Sequence, residues 1–245
     1  MDELICVEKI AEPVKGYVNH KYHTWQIIYY TYGKGITTVK NIEFQFQPKT
    51  IICIPPDIEY FEASKTGYKN INISVNGINE LGDSACAFKD TKNSDFSIIL
   101  NQLHNEFILK QNNWEAIAFF MLNVLLQYLF AWKISNNINR LIQKFCDDVE
   151  ANISNQNFLL KTAFNNLPIS LNYFKKLFSQ RIGKTPTEYL LKKRLEHAKT
   201  LLSSSNISGY KIKDISALCG FRDQYYFSRA FKKYLNVSPE KWVAK

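Results

Sequence analysis

The sequence predicts an α+β protein. Its N-terminal part reads as an antiparallel β-barrel followed by helices, and its C-terminal part as an all-α domain with two helix-turn-helix motifs. Three observations carry this. Over residues 22–77, short runs rich in Ile, Val, Thr and aromatics succeed one another with turn residues and no helix between them. From about Ser94 the apolar period lengthens to that of a helix. Residues 212–234, IKDISALCGFRDQYYFSRAFKKY, break at Cys219-Gly220 and restart at Asp223, the layout of two helices joined by a tight turn.

A chain of 245 residues, 46% hydrophobic and 14% aromatic, has the material for packed cores and not the composition of a disordered chain. Its net charge of +9 is uneven. From Ser135 onward 19 Lys and Arg face 8 Asp and Glu, whereas before it 12 face 14. A basic half beside a near-neutral half points to a polyanionic partner for one part only. Five scattered cysteines without a C-x-x-C pair argue against a disulfide framework and a zinc site, and fit a reducing cytoplasm. The acidic start MDELICVEKI shows no signal peptide. The apolar window over residues 116–132 is shorter than the roughly 20 residues a span needs, and Asn123 and Gln127 interrupt it. It is read as a buried or interface helix of a soluble, cytoplasmic protein with no membrane partner.

The expected strands are WQIIYYTY, ITTVKNIEFQFQ, TIICIPP, DIEYFEA and KNINISV, with turns at Gly33-Lys34-Gly35, Pro48-Lys49, Pro55-Pro56-Asp57 and Thr66-Gly67. Residues 76–93 read as irregular. These give a β-domain over 1–93, with a helical segment over 94–135 and a helical, basic domain over 136–245. The helical segment holds a helix over 95–109, with Ile99, Leu103 and Phe107 inward, and another over 114–132 that is apolar almost all round. That second helix needs cover on several sides, from the barrel or from a second copy of the chain with Asn123 fixing register.

In the basic domain, residues 138–149 carry Leu141, Ile142, Phe145 and Val149 at helical spacing, and 157–166 make a short helix. Ser170 then caps SLNYFKKLFSQRIG, closed by Gly183, with Phe174, Leu177, Phe178 and Ile182 inward and Asn172, Lys175, Lys176 and Ser179 outward. The motif recurs after Asp223. There Phe227, Ala230, Phe231 and Tyr234 share the inner face, while Gln224, Tyr225, Ser228, Arg229 and Lys232 share the outer one. Each copy closes on Thr-Pro or Ser-Pro, an N-cap followed by Pro at the first helical position, and Thr185 with Glu188 makes a capping box. Between the copies, Leu191, Leu195, Ala198 and Leu202 line a helix over 186–203, about 27 Å long, commensurate with neighbouring major-groove faces of one duplex.

With those residues in hand, the C-terminal 110 residues resemble the AraC/XylS family of bacterial transcription regulators. GFRDQYYFSRAFKKYLNVSPEKW is similar to the family's signature nearly position for position, and SLNYFKKLFSQRIGKTPTEYLLKKRLEHAKTLL to its first recognition helix and linker. The N-terminal part resembles, more loosely, the cupin-like sensor domains of this family through YGKG and FQFQPKTIICIPPDIEYF. Departures are Phe164 and Ser216 where Ala is usual, Pro168 and Asn236 where Gly is common, Pro48-Lys49 without the turn Gly, and Tyr60 where many cupins place a metal-ligating His. The resemblance implies double-stranded DNA as partner, with Asn172, Lys175 and Lys176 facing one major groove and Gln224, Tyr225, Ser228 and Arg229 the next. It also implies a homodimer and a small-molecule effector, a sugar or related metabolite.

For that effector, the polar-aromatic residues His20, His23, Trp25, Tyr29 and Tyr60 are the expected barrel ligands. His20 and His23 lack the further ligands of a metal set, and His104 and His197 have no nucleophile or carboxylate constellation beside them. No P-loop or GxGxxG occurs. The expectation is a regulator without a cofactor, a metal or a catalytic site. The alternatives are a cupin-type enzyme or sugar-binding protein with an appended basic domain, and a regulator controlled by a protein partner.

Overall fold

The computed structural model describes residues 3–164, 168–203 and 209–243 and divides into two compact units, Met1–Ser135 and Asn136–Lys245. The first is a nearly closed antiparallel β-barrel with helices and the second is all helical, the α+β class expected from the sequence.

The barrel strands are β1 (Glu3–Lys9), β2 (Val14–His20), β3 (Trp25–Gly33), β4 (Gly35–Val39), β5 (Ile42–Phe46), β6 (Thr50–Ile54), β7 (Tyr60–Asn76) and β8 (Cys86–Lys89). They are organised around β7, whose first half pairs with β2 and β4 and whose second half pairs with β1 and β3. Strand β3 continues through β6 to β8. The run DIEYFEASKTGYKNINISV, expected as two strands, is thus one strand with a bend. Gly67 takes φ +91 there, which lets the chain turn without ending its ladder.

Both faces of β3 are buried, so its sequence is apolar without alternation. Ile28 and Tyr30 point to the barrel interior, with Phe46, Ile52, Ile54, Tyr60 and Tyr68. Trp25, Ile27 and Tyr29 point the other way, into a layer with Ile51, Ile71, Ile73 and the helices. That layer is closed by α1 (Asp95–Leu109), through Phe96, Leu100 and Leu103, and by Leu122, Leu125, Leu126 and Leu129 of α2 (Trp114–Ala151). Helix α2 runs unbroken where two helices were expected. Residues 133–137, KISNN, hold neither Gly nor Pro, so nothing stops the helical ladder there. By length and composition alone, α2 is also a segment long and apolar enough to cross a membrane, longer than the 116–132 window suggested.

Three strands escaped the sequence. Strands β1 and β2 bury little beyond Val7, and β8 has four residues. Strand β8 leads into Asp90, a buried carboxylate that organises the start of α1. It accepts from the amides of Thr91 (2.7 Å), Phe96 (3.1 Å) and Ser97 (3.1 Å), and from the Tyr29 hydroxyl (3.2 Å). The formal N-cap, Ser94, makes no side-chain cap bond, so Asp90 supplies the capping acceptor. Asp90→Ala should therefore lower unfolding stability by about 2 kcal/mol, the order of losing hydrogen bonds to a charged cap. Urea denaturation followed by circular dichroism measures this, and a loss within error would refute that role.

The helical unit holds the C-terminal turns of α2 with α3 (Leu160–Phe164), α4 (Leu171–Ile182), α5 (Pro186–Ser203), α6 (Ile212–Leu218), α7 (Gln224–Leu235) and α8 (Pro239–Val243). Helix α3 is shorter than the expected 157–166, whose last two residues lie outside the described residues. Helices α4 and α7 begin and end at their caps, Ser170 and Gly183, and Asp223 and Asn236, and α5 begins after Thr185, whose hydroxyl accepts from Glu188 N. Helix α5 is common to two cores: Leu190 joins Phe145, Val149, Phe174 and Phe178, while Leu195, Ala198 and Leu202 join Ile215, Phe221, Phe227 and Phe231. The bulk of Phe164 is taken up by stacking on Phe145 (5.5 Å) and packing against Phe174, and Ser216 is satisfied in the core by donating to Lys213 O at 2.8 Å.

Candidate DNA-reading faces and barrel interior

Each helix-turn-helix owes its geometry to its cap. Asp223 accepts from the amides of Tyr225 (2.7 Å) and Tyr226 (3.2 Å), and Ser170 from Tyr173 (3.4 Å). Helix α7 ends on Asn236 at φ +59, a conformation Asn tolerates well. Burial of Phe227 and Phe231 turns Gln224, Tyr225, Ser228 and Arg229 outward together, with Tyr225 77% exposed and Gln224 and Ser228 half-buried. Tyr234, expected inward, is part-exposed and donates to Glu196 at 3.2 Å. Burial of Phe174 and Phe178 likewise leaves Asn172, Lys175 and Lys176 exposed on one face of α4. Pro168 is exposed just before α4, and residues 165–167 lie outside the described residues.

Among the described residues, Lys175, Lys176, Arg229 and Lys232 have no carboxylate partner. Other cations of this unit are committed to structure. Arg194 donates to Ile153 O (3.2 Å) and Asn155 O (2.8 Å), and Arg222 to Gln156 O (3.0 Å) and Asn157 Oδ1 (2.9 Å). Lys193 pairs with Glu150 at 2.6 Å. Part of the charge excess read from the sequence therefore serves internal ties and part lies on the two outer faces.

In the barrel, the five residues expected to meet an effector do not converge. Trp25 and Tyr29 belong to the layer under the helices, on the opposite face of β3 from the interior. Burial pushes the Tyr29 hydroxyl up to about 12. His23 stands 90% exposed and contacts Asp57 at 2.5 Å on the surface. Only His20 and Tyr60 meet, stacked at 4.9 Å. Around them lies a polar cluster that the sequence reading missed. Glu62, 2% exposed, accepts from the Tyr30 and Tyr68 hydroxyls and faces His20 Nε2 at 3.1 Å, and Tyr30 also bonds Thr37. Burial, and then the Glu62 charge, pushes Tyr30, Tyr60 and Tyr68 upward. The available signal was parity: Tyr60, Glu62 and Ser64 alternate along β7 and share its inner side.

Residues 165–245 match a family model described as a helix-turn-helix domain. The HTH-type transcriptional regulator YijO of Escherichia coli (strain K12) is 42% identical over 74 residues, 30% of this chain and 25% of that protein. The raffinose operon transcriptional regulatory protein RafR of Pediococcus pentosaceus is 40% identical over 73 residues, with the same coverage. The C-terminal domain of the two-component response regulator yesN from Fusobacterium nucleatum aligns at 32% identity and a TM-score of 0.38, over 44% of this chain and 98% of that one. The matched segment spans about a quarter of the length of these two curated relatives. Residues 165–245 of the helical unit are a helix-turn-helix domain. Over that segment the chain resembles the AraC/XylS family of transcription regulators.

Proposed function

We propose that the chain is a sequence-specific transcription regulator that acts in the cytoplasm as a homodimer and responds to a small molecule through its barrel, not an enzyme. The observation that carries the reading is the pair of outer faces on α4 and α7. Both are cationic and hydrogen-bonding, and both are free of carboxylate partners among the described residues. Arg229 reads sequence, because a guanidinium hydrogen-bonds a guanine edge bidentately, whereas Lys175 and Lys176 meet phosphate and set position. Selection of bound sequences from random duplex DNA should recover two half-sites one helical turn apart per chain. Recovery of a single half-site would refute the two-groove reading. Arg229→Ala should cost about 1–3 kcal/mol on the selected site and relax one base position. Equal weakening on random duplex would remove Arg229 from the sequence-reading role.

The homodimer reading is supported by α2. Ile117, Phe120, Val124, Gln127, Ala131 and Ile134 alternate at spacings of three and four, and all are exposed. That is a coiled-coil seam with one polar position, filled by Gln127. The Asn123 side chain instead turns back to donate to Phe119 O at 2.8 Å. The double substitution Phe120→Asp, Val124→Asp should convert the dimer to a monomer in sedimentation at micromolar concentration. An unchanged dimer would move the interface elsewhere.

A further inference from the structure

The barrel unit contains a cavity of about 1220 Å³ at the end where the β3–β4 and β5–β6 connections meet the bend of β7. Its wall is of two kinds. Tyr17, Ile36 and Phe46 offer apolar surface, while Lys34 and Lys65 bring two ammonium groups, and no Asp or Glu lines it. Among the described residues neither lysine has an ion-pair partner. The turns that bear them are fastened together. Ser64, buried, donates to Lys34 O at 2.6 Å and accepts from Gly67 N at 3.0 Å. Gly33 and Gly35 allow this approach, since a Cβ on the first would overlap Gly67 O and on the second Ala63 O and the Phe46 ring. Two exposed lysines thus stand on apposed turns beside apolar surface, with no ion-pair partner among the described residues, an arrangement that an anion stabilises.

We propose that this cavity binds an amphipathic organic anion, whose acid group is held by Lys34 and Lys65 and whose apolar body lies against Tyr17, Ile36 and Phe46. The proposal rests on the sensor reading above and names the class of its ligand. It also relocates the site, because the barrel interior behind Phe46 is filled by Tyr30, Tyr60 and Tyr68 and leaves the mouth as the place to bind.

The test uses the full chain and two fluorescent probes, 1-anilinonaphthalene-8-sulfonate and its uncharged relative N-phenyl-1-naphthylamine. The sulfonate should bind saturably, and K34E/K65E should weaken it about tenfold while the uncharged probe changes less than about threefold. Lys92→Glu, an exposed lysine away from the cavity, supplies a charge reversal outside the site, half that of the pair, and should leave both probes unaffected. Should the reversed pair fail to fold, K34A/K65A carries the same test. Equal loss in the cavity and Lys92 variants, or no loss in either, overturns the site. Titrating duplex DNA with and without the sulfonate then separates the two claims. Unchanged DNA affinity with intact, lysine-dependent binding overturns the sensor reading and leaves the site standing.

Discussion

Gly220→Ala costs the helical unit on the order of 3 kcal/mol, and with it most of its DNA affinity, by adding a left-handed backbone penalty to lost charge-assisted hydrogen bonds. Gly220 sits at φ +76 in the turn between α6 and α7, where any residue with a Cβ is strained. A Cβ there would also lie 2.5 Å from Ile153 O and 2.8 Å from Arg194 Nε. Those two atoms are partners: Arg194 reaches from α5 to the carbonyls of Ile153 and Asn155 and ties the loop after α2 to the second helix-turn-helix. The methyl group must displace either a backbone carbonyl or the guanidinium, and burial of Arg194 makes an unpaired position costly. Gly183 provides the control. It has φ +73 at the end of α4 but nothing within 4 Å of a Cβ. Gly183→Ala should therefore show the backbone penalty alone, about 1 kcal/mol. Equal losses for the two variants in urea denaturation would show that the close approach at Gly220 contributes nothing.

The DNA-binding unit was legible because its signals are local. Ser170, Gly183, Thr185-Pro186, Asp223 and Asn236 each announce a helix end within a few residues, and each cap is made in the structure or takes the expected backbone conformation. The barrel was legible as a class and opaque in detail, since its strands are defined by partners far along the chain. Strand β2, VKGYVNH, has no apolar face of its own and is a strand because β7 offers it a ladder. Strand β3 shows why the sequence does not say which of the effector candidates share a face. With both faces apolar, nothing in WQIIYYTY says whether Tyr29 or Tyr30 enters the barrel, and a shift of one residue exchanges them. The structure gives the interior to Tyr30 and the helix-covered layer to Tyr29. Glu62 was passed over for a related reason: a carboxylate in a strand reads as solvated until its neighbours are known.

Raising the pH through 10 should destabilise the barrel steeply, because Tyr30, Tyr60 and Tyr68 are each 2% exposed or less and each resists ionisation. Removal from water is the largest cause in all three, and the Glu62 charge comes next. The sign follows from which form each state prefers. In the unfolded chain these phenols lose their protons near the ordinary value of 10.0, whereas in the folded barrel they keep them to higher pH. The folded state then binds more protons than the unfolded one. Stability is fully present below pH 10 and is lost as pH rises past it, at about 1.4 kcal/mol per pH unit for each tyrosine still protonated. With three such groups, two of them donating to a buried carboxylate, about 4 kcal/mol per unit is at stake, enough to unfold a domain of ordinary stability within two units. Urea midpoints measured from neutral pH across 10, beside tyrosinate absorbance, give the slope directly. Tyr30→Phe should remove one of the three contributions and flatten it by about a third. A midpoint that does not move across pH 10 would mean that the hydroxyls around Glu62 are hydrated and that the barrel interior is open to water.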